Sequence, residues 1–422
     1  MNGDDLVVVG AGLAGLSAAV ELANAGRRVR VIERRAVAGG RCGTFVHADH
    51  RFTVGCNDFG RRIVSDLREL GAPVAFTPST VDIHLGDVRI GSGSPLGTLG
   101  FVLRHAPGLV RLVRGVRARR APTVGALLDA FVRDDAIAGL VGLIAYAIGT
   151  PLHRWRTDDL AADFAKANAY GHDRAVVPVD GVQAIVDALV RRLHERGGEL
   201  RTELGCAALE RDAGGWVVHG DHGETMPAAA VISSMAPRER ASASEPAGLA
   251  VAQCLFVLRG DFAWGRVRTS IVMPAGAPTW LAELDAGGWP AQLAFHGFRD
   301  HQDAEATTVT AYFLAPRGVG SFSDAVRATM LGRVVDGLDR VRPGFAAAVR
   351  HAALLDPDDY TRRHGLRSEL ANARCDAGPL PSRDATTGVL RIGNGVGAPG
   401  EHANAAMLSG RRAAAMVLRG SG

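Results

Sequence analysis

The feature that most constrains this chain is the spacing of three glycines between a short apolar run and a helical pattern. Leu6–Val9 is a run of apolar, mostly β-branched residues, which predicts a strand buried on both faces. Gly10, Gly12 and Gly15 follow with G-x-G-x-x-G spacing and begin a helix predicted over Leu13–Asn24. A helix N-terminus of this kind directs free backbone N–H groups at a phosphate. The segment therefore predicts a dinucleotide-binding βαβ unit.

Each part of this unit has a separate physical role. Gly10 allows the tight turn, Gly12 lets the backbone approach a pyrophosphate, and Gly15 lets the helix pack closely on the strand. The next predicted strand, residues 28–32, ends at Glu33, whose carboxylate can accept hydrogen bonds from both hydroxyls of a ribose. An acid at this place repels a 2′-phosphate, which disfavours NADP and leaves FAD or NAD.

The residues after Glu33 carry a resemblance to a known superfamily. Residues 38–42, Ala-Gly-Gly-Arg-Cys, resemble the segment that follows the dinucleotide fold in FAD-dependent amine oxidases, phytoene desaturases and protoporphyrinogen oxidases. The resemblance implies FAD as the cofactor, with Gly39 and Gly40 close to its pyrophosphate and Arg41 as a cation beside it. Because only one dinucleotide fingerprint is present, we expect neither NADH nor NADPH to act as a substrate.

Three further segments resemble the same superfamily. Residues 45–60 match the segment that passes near the isoalloxazine ring at Gly55, although Thr53 replaces the usual aspartate. Residues 176–234 resemble a crossover that returns to the FAD-binding sheet, with Cys206 in the place of a valine whose backbone contacts the adenine. Residues 388–418 resemble the C-terminal block, with Asn394 in the place of an acid.

The resemblance implies an α/β fold, with a Rossmann-like FAD/NAD(P)-binding domain that is split in sequence and an α+β substrate domain with a mixed sheet and helices. We expect the FAD-binding domain to comprise residues 1–72, 174–240 and 385–422, and the substrate-binding domain to comprise residues 73–173 and 241–384. The predicted cofactor-binding residues are Gly10, Gly12, Ala14, Gly15, Glu33, Arg34, Gly39, Gly40, Arg41, Gly55, Cys206, Gly393, Asn394, Ala403 and Ala405.

The reaction implied by the resemblance is transfer of a hydride from a substrate to flavin N5, a step whose chemistry belongs to the cofactor. No catalytic residue is assigned from the sequence; His296 and His402 are the candidates considered, each against the alternative of a packed histidine. Amine oxidases of the superfamily usually place a lysine against flavin N5, whereas no lysine follows Lys166 here. This favours dehydrogenation of an apolar polyene, prenyl or polyketide-like substrate. The alternatives are an amine or protoporphyrinogen oxidase that uses O₂, and a non-redox isomerase or carrier.

Composition excludes several other classes of protein. The formal net charge of +4 over 422 residues and the lack of a nucleic-acid motif argue against nucleic acid as a partner. Five scattered cysteines without C-x-x-C or metal-ligand spacing predict free thiols in a reducing cytoplasm and no metal site. We expect no signal peptide, because the first strand begins almost at once. The apolar run Ala136–Ile148 is shorter than the ~20 residues that span a bilayer, so we predict a buried helix.

A basic segment in the predicted substrate domain has two interpretations. Between Val88 and Leu128 there are seven arginines and no acidic residue. The apolar residues Leu109, Leu112, Val113 and Val116 share one helical face there. A basic amphipathic helix of this kind can lie on an anionic membrane, which would make residues 103–120 a peripheral membrane contact. The alternative is a helix packed on its own domain with a solvated basic face. The oligomeric state is left open.

Overall fold

The computed structural model describes residues 5–163, 175–212, 215–234, 247–266, 268–371, 381–396 and 402–420. Its strands are β1 (Leu6–Val9), β2 (Val29–Ile32), β3 (Thr44–His47), β4 (His50–Thr53), β5 (Phe59–Gly60), β6 (Phe76–Pro78), β7 (Val81–Leu85), β8 (Val88–Ile90), β9 (Ala175–Pro178), β10 (Glu199–Arg201), β11 (Cys206–Asp212), β12 (Gly215–Gly220), β13 (Thr225–Ala228), β14 (Ala230–Ser233), β15 (Ala247–Arg259), β16 (Thr269–Met273), β17 (Phe295–Gln302), β18 (Ala306–Leu314), β19 (Val349–Leu355), β20 (Glu369–Ala371) and β21 (Leu390–Arg391).

The helices alternate with these strands along the chain. They are α1 (Leu13–Asn24), α2 (Arg62–Glu69), α3 (Pro95–Arg104), α4 (Ala106–Arg117), α5 (Val124–Leu127), α6 (Asp135–Ile148), α7 (Thr157–Asp163), α8 (Gln183–Glu195), α9 (Trp280–Asp285), α10 (Asp324–Val341), α11 (Phe345–Ala348), α12 (Pro357–His364) and α13 (His402–Gly420).

A five-stranded parallel sheet gathers strands from distant parts of the sequence. Its order is β10-β2-β1-β14-β21, and every residue of the central strand β1 is buried. Helices α1, α8 and α13 contribute to the apolar core on one face, and the three-stranded sheet β11–β13 packs on the other. Because the strands are parallel, the turns that follow β1, β2, β14 and β21 all meet at one edge, which is where such sheets bind ligands.

A second, mixed sheet of eight strands is formed by the intervening parts of the chain. Its order is β19-β15-β18-β17-β16-β7-β8, with β20 paired to β15. Strands β7 and β16 run parallel, whereas the other pairs are antiparallel. Helices α3–α6 cover one face of this sheet, and α10 and α11 cover the other. This arrangement confirms the predicted fold class, while the domain boundaries stay a prediction.

One sequence-based expectation for this part of the chain can be compared with the structure. The predicted buried helix Ala136–Ile148 is α6, whose N-terminus is capped by the Asp134 carboxylate. Among the described helices, none combines the length and the apolar character needed to cross a bilayer.

Strand β4 connects the two sheets through a buried carboxylate. The backbone N–H of Thr53 donates to Asp300 Oδ1 at 3.0 Å, and the Thr310 hydroxyl donates to Asp300 Oδ2 at 2.6 Å. Gln253 Nε2 donates to the Thr53 carbonyl at 2.9 Å. Burial raises the pKa of Asp300 to about 6, although the hydrogen bonds from Thr310 and Thr53 and the nearby Arg268 act in the opposite direction.

The raised pKa of Asp300 makes stability depend on pH. Below the ordinary pKa of 3.8 the carboxyl is protonated in both the folded and the unfolded chain. As pH rises from 3.8 towards about 6, Asp300 ionises in the unfolded chain before it ionises in the folded protein. The folded protein therefore loses stability across this interval. Asp300→Asn keeps the acceptor for Thr53 and cannot ionise. We expect it to match the wild type near pH 4 and to be more stable at pH 7 by roughly 1–3 kcal/mol.

Urea unfolding of wild type and Asp300→Asn at several pH values between 4 and 7 measures this difference. The exposed Asp87 in the turn between β7 and β8 offers a matched control, since Asp87→Asn removes a carboxylate that is solvated in both states. A constant difference between wild type and Asp300→Asn over the whole range would contradict the prediction.

A candidate dinucleotide-binding site

The turn after β1 brings backbone against backbone. Gly10 has φ +99°, and a Cβ there would lie 2.1 Å from Ser234 Oγ at the end of β14. A Cβ on Gly15 would lie 1.9 Å from the Gly10 carbonyl oxygen. Neither position accepts a side chain, because Gly10 has a left-handed conformation and Gly15 lies too close to the Gly10 carbonyl. The N-terminus of α1 is therefore held directly above the edge of the parallel sheet.

The N-terminus of α1 is open on its outer side. Gly12 is its N-cap, and no side chain caps the helix. A Cβ on Gly12 would meet no atom within 4 Å among the described residues, whereas a Cβ on Gly40 would lie 3.3 Å from Gly12 Cα. Gly12 and Gly39 also form a parallel bridge. The turn at Gly12 and the turn at Gly39–Gly40 thus lie side by side. The N–H groups of the first turn of α1 have no partner within the helix and are available to an anion.

The Glu33 carboxylate is held in place at the end of β2. Its Oε2 accepts from the Ala11 N–H at 2.8 Å and its Oε1 accepts from the Arg35 N–H at 3.0 Å. Glu33 is 8% exposed. A carboxylate has about four acceptor positions, so two remain for further donors such as the hydroxyls of a ribose.

Arg34 and Cys206 lie near each other beyond Glu33. A Cβ on Gly205 would lie 3.3 Å from Arg34 Cβ, and the Arg34 side chain is exposed. Cys206 is half-buried, and its thiol donates to the Ala208 carbonyl. The structure thus brings these two predicted residues together on the ribose side of Glu33.

Arg41 makes contacts that the sequence did not indicate. Its Nη2 donates to the carbonyls of Arg367 and Glu369, at 2.7 and 2.8 Å. Its Nε is buried without a partner among the described residues. Gly55 lies beside it, since a Cβ on Gly55 would be 3.1 Å from Arg41 Cβ. Arg41 therefore connects the glycine turn to the β20 region, and its Nε is the nitrogen left for a ligand.

Helix α13 completes the site through close packing on α1. A Cβ on Gly410 would lie 2.0 Å from the Ala14 carbonyl oxygen, so the two helices touch at this point. Ala14, Ala403 and Ala405 are buried, with 5%, 7% and 5% of their surfaces exposed. Ala14 and Ala403 belong to the apolar core of the helices, and a cofactor-binding role for the three alanines stays a prediction. His402 is the first residue of α13, and its side chain lies outside those that the structure describes.

Polar atoms without partners cluster where β21 leads towards α13. Gly393 has φ +110° and open space beside its Cα, and its N–H donates to Ser409 Oγ at 2.8 Å. Asn394 Oδ1 is buried without a partner among the described residues, and so are both Nδ2 and Oδ1 of Asn404. Buried polar groups normally have partners, so these atoms mark a place for a polar ligand.

Asn404 was not among the residues predicted from the sequence. It is 2% exposed, and it lies between the predicted residues Ala403 and Ala405. In the sequence, Asn404 is marked only as a single asparagine in a run of small residues at the start of a predicted helix. Apolar periodicity alone does not distinguish that amide from a solvated residue.

The Gly55 segment is held by a buried polar network. The hydroxyls of Tyr312 and Tyr360 both donate to the Val54 carbonyl, at 2.7 and 3.2 Å. Gln253 Nε2 donates to the Tyr312 hydroxyl, and its Oε1 faces Nε2 of His364 at 3.2 Å. Burial and nearby arginines lower the pKa of His364 to about 3, so this histidine is neutral. Sequence reasoning did not assign a role to this network, because its members come from separate elements.

His296, one of the two catalytic candidates, lies on the face of the large sheet that α6 covers. Its Nδ1 is 3.1 Å from the Tyr146 hydroxyl, which itself donates to the Tyr312 carbonyl at 2.7 Å. The hydroxyl therefore accepts from His296 Nδ1–H. The His296 and Tyr312 rings are 5.3 Å apart. His296 is thus one aromatic ring away from the Val54–Gly55 segment.

Comparison with known proteins adds the following findings. Residues 8–62 match the model of the NAD(P)-binding Rossmann-like domain. Over 275 residues the chain is 27% identical to the phytoene desaturase (neurosporene-forming) of Rhodobacter capsulatus, covering 54% of this chain and 52% of that protein. The chain thus spans about half the length of this relative.

Two solved structures superpose on nearly the whole chain. An oxidoreductase from Methanosarcina mazei gives a TM-score of 0.70 at 16% identity, covering 98% of this chain and all of that one. Cyclohexylamine oxidase from Brevibacterium oxydans gives a TM-score of 0.67 at 14% identity, with both chains fully covered. At this identity the likeness shows the shared fold.

Proposed function

We propose that the chain is an FAD-dependent oxidoreductase of the superfamily that contains flavin amine oxidases and phytoene desaturase-like proteins, which its similarities support. The observation that carries the proposal is the set of polar groups at the edge of the parallel sheet. There, among the described residues, the N-terminus of α1 has no side-chain cap, the Glu33 carboxylate is fixed, and the amides of Asn394 and Asn404 carry buried atoms without partners.

The chemistry of these groups fits an FAD molecule. The free N–H groups beside Gly12 suit the pyrophosphate, and the remaining acceptor positions of Glu33 suit the ribose diol. Asn394 and Asn404 carry the amide atoms without partners, and they offer both donors and acceptors to the polar part of the flavin end. Arg41 Nε, which has no partner among the described residues, adds one further donor.

FAD supplies a two-electron acceptor when bound, and the chain supplies position and shielding. The hydroxyls of Tyr312 and Tyr360 donate hydrogen bonds to the Val54 carbonyl, which fixes the adjoining Gly55 backbone. The neutral His364 adds no charge to this buried layer. Apolar residues on the α6-facing side of the large sheet exclude water from the adjoining space.

We further propose that the substrate is an apolar polyene, prenyl or polyketide-like molecule that undergoes dehydrogenation of carbon–carbon bonds. Similarity to a phytoene desaturase over half of the chain supports this class, as does the absence of lysine after Lys166. The half-buried Ile83 and Ile271, on neighbouring strands, add apolar surface on the same side of the sheet as His296. The amine or protoporphyrinogen oxidase and the non-redox isomerase or carrier are the competing proposals.

The cofactor proposal predicts the effect of removing the Glu33 carboxylate. Glu33→Ala should weaken FAD binding by roughly 1.5–3 kcal/mol, because hydrogen bonds to a charged acceptor are lost. Glu33→Gln keeps one acceptor and should lose less. Titration of apoprotein with FAD, followed by flavin fluorescence, measures both losses, with Glu195→Ala on the exposed side of α8 as control. Urea unfolding of each apoprotein separates lost affinity from lost folding. FAD affinity equal to wild type in Glu33→Ala would contradict the proposed site.

The reaction proposal is tested by anaerobic mixing of the FAD-loaded protein with polyenes, prenyl compounds and amines. We expect loss of flavin absorbance with several related apolar compounds, since an apolar pocket discriminates by only ~1–3 kcal/mol per methylene. Bleaching by amines alone, with H₂O₂ released in air, would establish the oxidase alternative. Product formation with no detectable flavin reduction would establish the isomerase.

Membrane contact is proposed from an exposed apolar face on α3. Leu96, Leu99 and Leu103 have i, i+3, i+7 spacing and are 83%, 55% and 69% exposed. Exposed apolar residues of this size elsewhere among the described residues are only Val37, Val46 and Val179, whereas α3 and α4 together carry Leu96, Leu99, Val102, Leu103, Val110 and Val113.

The apolar face predicted on α4 is only partly exposed. Leu112 and Val116 are buried in the core of their own domain, and Val113 is 38% exposed. Arg104, Arg114 and Arg117 are exposed beside the α3 face. An apolar face flanked by cations fits the surface of an anionic membrane, so the proposed contact extends from residues 103–120 to include α3.

Flotation with neutral and anionic vesicles at two salt concentrations tests this contact. We expect binding to anionic vesicles that weakens with salt, because each arginine near such a surface contributes about 1 kcal/mol. Serine at Leu96, Leu99 and Leu103 together should abolish binding, whereas Val179→Ser, an exposed apolar residue elsewhere, should not. Absence of binding to both vesicle types would leave the solvated basic face as the interpretation.

A further inference from the structure

Two cysteines lie in contact at the edge of the candidate site. The Sγ atoms of Cys42 and Cys56 are 2.8 Å apart, and both residues are free thiols. This separation is about 0.8 Å longer than a disulfide bond. Cys42 is 3% exposed, whereas Cys56 is partly exposed. The pair therefore has one sheltered sulfur and one that a small molecule can reach.

The backbone around the two cysteines keeps the sulfurs together. The Cys56 N–H donates to the Arg41 carbonyl and the Val54 N–H donates to the Gly43 carbonyl, both at 3.0 Å. These bonds align the two segments side by side over several residues. Proximity of the thiols is thus a property of the folded backbone, not of one side-chain rotamer.

The other described cysteines are not arranged in this way. Cys206 donates to a backbone carbonyl, and Cys254 is fully buried within β15. Cys375 lies outside the described residues. Among the described cysteines, only Cys42 and Cys56 contact each other.

We propose that Cys42 and Cys56 form a reversible dithiol–disulfide site that a low-molecular-weight disulfide such as oxidised glutathione closes. The Cys56 sulfur attacks one sulfur of the oxidant, which breaks the oxidant's S–S bond and releases one thiol. The Cys42 sulfur then attacks the Cys56 sulfur and releases the second thiol. The two protein thiols lose two electrons and two protons, and the oxidant is reduced to two thiols that carry those electrons and protons.

The order of attack follows from exposure. Burial, together with the neighbouring Cys56 thiol, raises the pKa of Cys42 well above its usual value. Cys42 is therefore held as a thiol. It reacts second, when the accessible Cys56 has formed a mixed disulfide from which the small thiol can leave.

Closing this bond has a consequence for the candidate site. It covalently joins the end of the Gly39–Arg41 turn to the segment that begins at Gly55, and Gly55 already touches the Arg41 side chain. The two segments can then no longer separate. Resting on the proposed cofactor, this predicts that FAD leaves the oxidised protein severalfold more slowly than the reduced protein.

The sequence makes the disulfide simple to detect. Trypsin cleaves after Arg41, Arg51 and Arg61, which places Cys42 and Cys56 on separate peptides, 42–51 and 52–61. The folded full-length protein is incubated with oxidised or reduced glutathione, alkylated, digested without reductant and analysed by mass spectrometry. We expect the two peptides linked after oxidation, separate after treatment with reductant, and linked again on reoxidation.

Matched variants identify the steps. Cys42→Ser should accumulate one glutathione on Cys56, because the second attack is missing, and Cys56→Ser should accumulate none on Cys42. Cys254→Ala should form the linked peptides as wild type does. Far-UV circular dichroism identifies any variant that fails to fold, and Cys42→Ala then replaces Cys42→Ser.

Two results would overturn the proposal. Full alkylation of both cysteines in wild type after native oxidation shows that no bond forms, and a stable glutathione adduct on wild-type Cys56 shows that Cys42 does not resolve it. FAD release is timed separately with both forms. Linked peptides with unchanged release rates would overturn the effect on the site, and linked peptides in a protein that binds no FAD would refute the proposed cofactor while leaving the thiol chemistry established.

Discussion

The candidate site depends on close approaches at glycines where a side chain would collide. A Cβ on Gly10 would lie 2.1 Å from Ser234 Oγ after β14, one on Gly15 would lie 1.9 Å from the Gly10 carbonyl oxygen, and one on Gly410 would lie 2.0 Å from the Ala14 carbonyl oxygen. The first two contacts place the turn before α1 against the end of β14 and against α1 itself, and the third places α13 against α1. Because interiors are close-packed, an added methyl group at such a point displaces a whole element. By contrast, a Cβ on Gly12 or Gly393 would meet no atom of the described residues within 4 Å, and this is where a ligand has room.

The junction between the two sheets is built from polar groups that satisfy one another. Thr53 and Val54 present their backbone to Asp300, Gln253, Tyr312 and Tyr360, which come from strands of the large sheet and from α12. In a buried layer every such partner matters, since an unpaired polar group costs more free energy than a hydrogen bond adds. The segment leading to Gly55 is therefore set by the large sheet, although its sequence belongs to the dinucleotide-binding part.

The same junction lies at a position where the chain departs from the pattern that the resemblance implies, since threonine stands at position 53 instead of aspartate. In the structure the backbone N–H of Thr53 donates to the carboxylate of Asp300 on β17, 247 residues away in sequence. Comparison of local motifs does not reveal a contact of this kind.

The sequence by itself determined the elements whose signals are local. The strand, glycines, helix and acid over residues 6–33 follow from steric requirements of a few consecutive residues, and the structure forms each of them there. Only the tertiary structure decided which side chains meet. Examples are the bonds from Arg41 to carbonyls near β20, the contact between Cys42 and Cys56, and the burial of Asn404 without a partner among the described residues. The position of the exposed apolar face on α3 was likewise decided by the tertiary structure. The physical reason is that periodicity reports burial along one element, whereas pairing depends on how elements distant in sequence pack.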